Sequence, residues 1–196
     1  MRRTNDQKAE TRQHIVEAAG RLFRQHGIDA VGVDAIMHAA GLTHGGFYGH
    51  FPSKEALVAE VADASLARAA ARWEQIARDE APEVALRWIV GSYLDPAHVG
   101  EVELGCVLTT LGPEVARRPE ARPGIAASVR EMADALGRCL PEGGDAAALA
   151  ALSTMVGAVV LARVADTPEL AEAILEAAKV AVCRQPLPLR GRGREA

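Results

Sequence analysis

Four residues near the amino end, His44, Tyr48, His50 and Lys54, place hydrogen-bonding and positively charged groups along one short stretch of chain. The segment HGGFYGH within it holds three glycines, and each glycine in a helix costs about 1 kcal/mol relative to alanine. Because this segment is a poor helix by itself, we expect its bare backbone to lie close against another surface. His44, Tyr48 and Lys54 can then point outward, towards the bases and phosphates of a nucleic acid.

Two short helices joined by a tight turn are predicted to position these residues. Apolar residues at helical spacing predict the first helix over residues 33–40. Gly41 follows where a left-handed residue commonly ends a helix, because glycine has no Cβ to oppose a positive φ. Thr43 is a suitable N-cap for the second helix, and Phe47 and Phe51 can anchor one face of it in a core. Such a pair of helices is the unit that places a second helix in the major groove of DNA.

The stretch AAGLTHGGFYGHFPSKEAL resembles the DNA-binding domain of TetR-family transcriptional regulators. The resemblance extends upstream through the apolar residues of the first helix and Gly27, and it covers about the first quarter to third of the chain. The chain departs from the family's pattern at Val33, which replaces a hydroxyl residue, so Gly32 is expected to begin that helix. The resemblance implies that a set of residues faces DNA: Asp34, Thr43, His44, Gly45, Gly46, Tyr48, Gly49, His50 and Lys54.

Within that set, the resemblance implies a division of roles. Tyr48, His50 and Lys54 match phosphate-contacting positions, and Thr43 adds a hydroxyl near a helix N-terminus, where exposed N–H groups attract phosphate. Residues 44–46 match positions that face base edges. For a tyrosine and a histidine considered alone, packing between helices is the simpler interpretation.

The charge distribution favours local contact with phosphate. Residues 1–54 carry seven Lys/Arg and five Asp/Glu, whereas the rest of the chain carries fifteen and twenty-one, and the net charge is −4. Five of the six histidines also lie in the first segment. A mildly basic head on an acidic body is typical of a protein that binds nucleic acid at one place, although chance asymmetry would give the same counts.

The composition predicts an all-α fold with about nine helices. Apolar residues make up 49% of the chain and aromatic residues 4%, so the core is mostly Ala, Leu and Val, which suits closely packed helices. We divide the chain into a three-helix DNA-binding domain at residues 1–52, a helical ligand-binding and dimerisation domain at 53–185 and a disordered tail at 186–196.

Two features of the second domain are expected to matter. A fourth helix begins at Ser53, a plausible N-cap, and runs to about residue 78 without Pro or Gly, so it can act as a lever into the body. Residues 98–105 are predicted to form a loop, and a sixth helix is predicted at 106–117, which Gly112-Pro113 can divide into two.

Several classes of protein are disfavoured. The three cysteines are odd in number and form no CxxC pair, which fits a reducing compartment and predicts neither a metal nor a cofactor. No apolar leader occurs near the amino end, so we expect a cytoplasmic protein. The uncharged segment 146–162 has 17 residues, fewer than the roughly 20 of a spanning helix, so a buried or interface helix is favoured over a membrane span.

The resemblance, rather than any spacing, implies a cavity for a small-molecule effector in the second domain. Apolar cavities with a few polar groups suit such ligands. Bulky or polarisable residues of helices five to eight are the candidates for its lining, although most of them are core residues by default: Trp88, Tyr93, Leu94, Cys106, Leu108, Leu111, Met132 and Met155.

The last two helices are predicted to form a dimer surface. Small residues on the eighth helix let backbones approach closely, and two such helices with their symmetry mates make a four-helix bundle. A homodimer would match the two-fold symmetry of a pseudo-palindromic operator in double-stranded DNA. An intramolecular core would show the same pattern. The predicted interface residues are Ala151, Thr154, Gly157, Ala158, Leu161, Ile174 and Ala178.

Together these observations predict a ligand-responsive regulator, most simply a repressor. A redox or electrophile sensor stays open, because Cys106 follows Gly105 at a helix start, where the helix dipole favours a thiolate. Buried packing of that thiol is the simpler interpretation. A hydrolase that uses Cys106 with His98 and a helical protein-interaction module are weaker hypotheses. No enzyme is expected, because the chain lacks a phosphate loop, a nucleophile elbow and HExxH.

Overall fold

A computed structural model describes residues 2–141 and 144–183. The described chain is helical and contains no strand, which confirms the all-α prediction. The disordered tail predicted at 186–196 lies outside the described residues. The α-helices are α1 Arg2–His26, α2 Val33–Ala39, α3 Lys54–Asp79, α4 Pro82–Tyr93, α5 Pro96–Gly100, α6 Val107–Ala116, α7 Arg122–Cys139, α8 Asp145–Arg163 and α9 Pro168–Cys183, and two 3₁₀-helices span His44–Gly49 and Pro119–Ala121.

The glycine-rich 3₁₀-helix, His44–Gly49, is held by two aromatic side chains. Phe47 and Phe51 are fully buried, and their rings stack with centroids 5.7 Å apart. The Arg12 guanidinium lies 4.0 Å above the Phe51 ring. Arg12 also donates to the His50 carbonyl and pairs with Glu60 on α3. The 3₁₀-helix is therefore joined to both α1 and α3.

Helix α3 is the longest element and connects the amino-terminal helices to the body. The Ser53 hydroxyl accepts a hydrogen bond from the Ala56 N–H at 3.1 Å, which confirms the predicted cap. The helix packs on both α1 and α7. The buried face of the helix continues from Leu57 to Trp73. The action of α3 as a lever stays a prediction.

The segment between α4 and α6 departs from the sequence prediction. The loop predicted at 98–105 was wrong in its first part, because α5 extends from Pro96 to Gly100. The Asp95 carboxylate caps this helix by accepting the Ala97 N–H at 2.8 Å, and proline is favourable in a first turn. Helix α6 continues through Pro113, whose ring lies on the exposed side of the helix.

Helix α8 has the length and composition of a candidate membrane span. Seven of its side chains are buried, and the helix packs against α7 and α9. A core helix of a helical domain has a similar composition, and these contacts account for the apolar character of its buried side.

The buried anchor makes a prediction about stability. Replacing Phe47, which is 0% exposed, with alanine should lower the free energy of unfolding by about 3–5 kcal/mol, because it leaves a cavity in the core. The matched control is Tyr48→Ala, since its neighbour Tyr48 is 67% exposed. Urea unfolding followed by circular dichroism should separate the two variants, and equal losses would contradict the anchoring role.

Candidate nucleic-acid interface and ligand cavity

The turn between α2 and the glycine-rich 3₁₀-helix is built around one left-handed residue. Gly41 has a φ of +72°, as predicted, and the next N–H, of Leu42, donates to the Met37 carbonyl at 2.8 Å. Thr43 occupies the N-cap position, but its hydroxyl accepts no capping hydrogen bond, so that part of the prediction was wrong. The Gly46 N–H instead donates to the Thr43 carbonyl at 3.1 Å, because the 3₁₀ spacing brings these two backbone groups together.

The glycine-rich 3₁₀-helix presents bare backbone on its outer side. A Cβ added to Gly45 or Gly49 would meet no other atom within 4 Å. At Gly46 it would lie 3.4 Å from the Met37 side chain, which is ordinary contact. The fold itself would therefore tolerate a side chain at Gly45 or Gly49. With glycine at both positions, the backbone is open to close approach by another molecule.

Two polar side chains flank this bare backbone. The His44 Nδ1 atom contacts the Asp34 carboxylate, and both residues are exposed. Because a carboxylate only accepts, Nδ1 carries the proton and Nε2 points away as an acceptor when the ring is neutral. Tyr48 projects into solvent with its ring edge-on to Phe47 at 5.3 Å. Asp34 thus orients His44, and Gly32 begins α2 as expected.

The other two predicted contact residues are less exposed. His50 is half-buried, and its Nδ1 atom has no hydrogen-bond partner among the described residues. Lys54 starts α3, and its Nζ atom lies 6.0 Å from the centre of the Phe23 ring. Sequence reasoning missed Arg12, which positions the His50 carbonyl. No local signal could have found it, because its partners lie 38 and 48 residues away.

An open cavity of about 580 Å³ lies between α1, α3 and α4 and beneath the segment from α5 to α6. We call it the α3–α4 cavity. Of the predicted ligand residues, it brings together Tyr93 and Cys106. Leu108 lines a separate groove of about 620 Å³ between α6 and α7. Trp88 is half-exposed beneath the Arg72 guanidinium, at 5.2 Å. The remaining four are buried core residues: Leu94, Leu111, Met132 and Met155.

Both ring nitrogens of His98, which lines this cavity, form hydrogen bonds with backbone groups. His98 Nδ1 lies 2.6 Å from the Tyr93 carbonyl, and its Nε2 accepts the Cys106 N–H at 3.1 Å. In this arrangement neither nitrogen is placed to take a proton from the Cys106 thiol, so the geometry does not support a hydrolase.

Burial raises the pKa of Tyr93 well above its ordinary value, and the neighbouring Cys106 adds to this effect. Sensing through Cys106 stays a prediction.

The predicted dimer residues divide between the two faces of α8 and α9. Gly157 and Ile174 are partly buried, and Thr154 and Leu161 are exposed. Three others pack on the chain's own core, so they do not lie on a free surface as predicted: Ala151, Ala158 and Ala178. Sequence periodicity could not separate the faces of α8, because residues 146–162 carry no charge on any side of the helix. The exposed apolar side chains of the two helices are Leu149, Val160, Leu161, Leu170 and Val180.

Comparison with known proteins agrees with this geometry. A family model described as bacterial regulatory proteins of the tetR family matches residues 15–61. The uncharacterized HTH-type transcriptional regulator TtgW of Pseudomonas putida is 34% identical over 101 residues, which are 50% of this chain and 70% of that protein. The chain belongs to the TetR family. TetR-family membership confirms the sequence resemblance, and the family model describes bacterial regulatory proteins.

Two further comparisons mark the extent of the similarity. The HTH-type transcriptional regulator AcrR of Shigella flexneri is 43% identical over 60 residues, or 31% of this chain and 28% of AcrR. The match thus spans less than a third of that relative. The reduced form of Escherichia coli NemR superposes with a TM-score of 0.76 over 88% of this chain and 96% of NemR, at 20% identity. At that identity the similarity concerns the fold alone.

The two kinds of glycine in this region should respond differently to alanine. Gly41→Ala should lower the free energy of unfolding by about 1–2 kcal/mol, because φ is positive there. Gly45→Ala should leave it unchanged or raise it by up to about 1 kcal/mol, because the unfolded chain loses freedom. Thermal and urea unfolding would measure both, and a large loss at Gly45 would show that the fold itself needs that glycine.

Proposed function

We propose that this chain is a homodimeric repressor that binds a pseudo-palindromic operator and leaves it when a small molecule occupies the α3–α4 cavity. The observation that carries this proposal is the orientation of the glycine-rich 3₁₀-helix. Its phenylalanine is buried, and its polar side chains and bare backbone face solvent. Residues 1–52 would form the DNA-binding domain, and residues 53–185 would bind the ligand and the second subunit.

In this proposal the glycine-rich 3₁₀-helix lies in the major groove. Bare backbone at Gly45 lets the helix approach the base edges, where His44 Nε2 accepts or donates a hydrogen bond according to its protonation. Tyr48 and Lys54 bind phosphates on the groove walls, together with His50 and Thr43. Two copies related by a two-fold axis would then occupy successive major grooves.

Contacts from α6 and from Arg118 just after it to the α1–α2 connection support coupling between the cavity and the DNA-binding helices. The Ile28 N–H donates to the Glu114 carboxylate at 2.8 Å, and Arg118 pairs with Asp29. Val107, the first residue of α6, lines the α3–α4 cavity. A ligand that displaces α6 would therefore move the DNA-binding helices.

A further link supports coupling to the second subunit. Arg163, at the end of α8, donates to Thr109 Oγ1 at 2.7 Å and to the carbonyls of Val99 and His98 at 3.1 and 3.2 Å. Burial lowers the pKa of this guanidinium. The helix proposed to form the dimer is thus tied to the segment over the cavity. The ligand must bind the released conformer more tightly, by about 1.4 kcal/mol for each tenfold loss of operator affinity.

The DNA-binding proposal has a direct test. Purified protein should select one class of pseudo-palindromic site from genomic fragments, with an affinity that falls as salt rises, because phosphate contacts release counterions. Lys54→Ala should weaken all sequences alike and reduce the salt slope by about one, whereas His44→Ala should change the preference among sequences. Fluorescence anisotropy with operator and scrambled duplexes measures both effects.

The control for these variants is Gly91→Ala, in α4, where a Cβ meets no atom within 4 Å. It should bind the operator as the unmodified chain does. Unchanged binding by both His44→Ala and Lys54→Ala would exclude the glycine-rich 3₁₀-helix as the DNA-binding element.

The proposed dimer surface has its own test. Leu161 is 55% exposed on α8. If the second subunit covers it, a charged side chain at this position would be buried in the interface, which is costly. Leu161→Arg should raise the dimer dissociation constant at least about tenfold. Val84→Arg, at an exposed apolar position on α4, is the matched control and should not change it. Analytical ultracentrifugation gives both constants, and an unaffected dimer in Leu161→Arg would place the interface elsewhere.

A further inference from the structure

We propose that the α3–α4 cavity binds a small molecule carrying a carboxylate or a phosphate, and that Arg24, Arg68 and Arg72 bind this anionic group. The proposal names the chemical class of ligand for the cavity described above. Its regulatory meaning rests on the proposed function, whereas the anion site itself can be tested independently.

Three arginines line this one cavity. Arg68 and Arg72 are one helical turn apart on α3, with Ser65 a turn earlier, so all three lie on the same face of the helix. Arg24 reaches the cavity from α1. Sequence reasoning missed this group, because it considered bulky apolar residues as the lining, although the spacing of Arg68 and Arg72 was a usable signal.

These arginines differ from the ion-paired arginines of the chain. Arg12, Arg78, Arg118 and Arg138 each contact a carboxylate. By contrast, none of the three cavity arginines forms an ion pair within residues 2–141 and 144–183. Guanidinium groups match the geometry of carboxylate and phosphate by donating two parallel hydrogen bonds. An oxyanion would supply the missing partner.

Arg24 carries the strongest part of the argument. Its Nη1 atom donates to the carbonyls of Gly20 and Glu103 at 2.7 and 3.2 Å, and its Nη2 atom donates to Ser65 Oγ at 2.8 Å. Its Nε atom is buried and has no hydrogen-bond partner among the described residues. Burial lowers the pKa of Arg24, Cys106 opposes this effect, and the positive charge of Arg68 adds to it. A partly buried cation beside a second cation is costly, and a bound anion would reduce that cost.

The acidic residues near the cavity form no ion pair with its three arginines in the part of the chain that the structure describes. Asp95 and Glu101 also line the cavity, but the Asp95 carboxylate accepts the Ala97 N–H as the cap of α5. The Glu103 carboxylate accepts a hydrogen bond from the Gln25 side chain. Buried apolar groups complete the lining, with Leu66, Trp73 and Val107 at its inner side. The cavity thus suits an anion with an apolar body.

Anion binding at Arg24 would change the contacts that hold α1, one of the proposed DNA-binding helices, against the body. The bonds from Arg24 to Glu103 and Ser65 join α1 to α3 and to the segment before α6. A carboxylate or phosphate competes for the same N–H groups. Its binding would therefore weaken contacts between α1 and the body.

The test uses Trp73 as a reporter inside the cavity. The chain has two tryptophans, so in the Trp88→Phe variant Trp73 is the only one, and the phenylalanine ring keeps a surface beneath Arg72. Quenching of its fluorescence by iodide reports anion entry, and quenching by neutral acrylamide reports access alone. At fixed ionic strength, Arg68→Gln in this background should lower the iodide constant by about twofold and leave the acrylamide constant unchanged.

The matched control is Arg78→Gln, which removes an exposed arginine of α3 outside the cavity and should leave both constants unchanged. Competition by sodium acetate or sodium phosphate, at the same ionic strength, distinguishes a carboxylate site from a phosphate site. Protection from iodide by either anion, lost in Arg68→Gln, supports the proposal. Iodide quenching that neither Arg68→Gln nor either anion changes would overturn it.

Operator binding by the Trp88→Phe protein is measured in parallel. Loss of selective DNA binding with intact anion protection would refute the proposed repressor function and leave the anion site standing. Selective DNA binding without anion protection would refute the anion site alone.

Discussion

The stacked pair Phe47 and Phe51 is the interaction on which the rest of the structure depends. The segment around Phe47 contains too much glycine to form a stable helix by propensity, so burial of these rings must hold it. Burial of Phe47 also fixes the rotation of the 3₁₀-helix, which turns Tyr48 and the backbone of Gly45 outward. One hydrophobic contact therefore stabilises this 3₁₀-helix and gives it the orientation on which the proposed DNA binding rests.

Polar side chains join this element to the body at several places. Arg12 connects the end of the 3₁₀-helix to α3, and Glu114 connects α6 to the α1–α2 connection. Arg24 connects α1 to the wall of the α3–α4 cavity, and Arg163 connects α8 to its rim. Each is a hydrogen-bonded contact with defined geometry, and the proposed function uses these contacts to couple the cavity to the proposed DNA-binding helices.

The accuracy of the sequence predictions depended on the range of the interactions involved. Gly41, the Ser53 cap and the outward Tyr48 were correctly predicted, because glycine conformation, capping and helical spacing act within a few residues. The Thr43 cap failed because 3₁₀ spacing replaced it with a backbone contact. The short α5 was missed because the residues after its cap, Asp95, were assigned to a loop.

Amino-acid sequence alone determined the all-α class, which follows from local pattern, and the family, which follows from the resemblance of a short motif. Only the tertiary structure decided which residues line the α3–α4 cavity. It turned Tyr93 and Cys106 into the cavity, buried Met132 and Met155 elsewhere and brought Arg24 beside Arg68 from a distant helix. The physical reason is that a cavity is made by contacts between helices, and the sequence of each helix does not specify which of its apolar faces meets which neighbour.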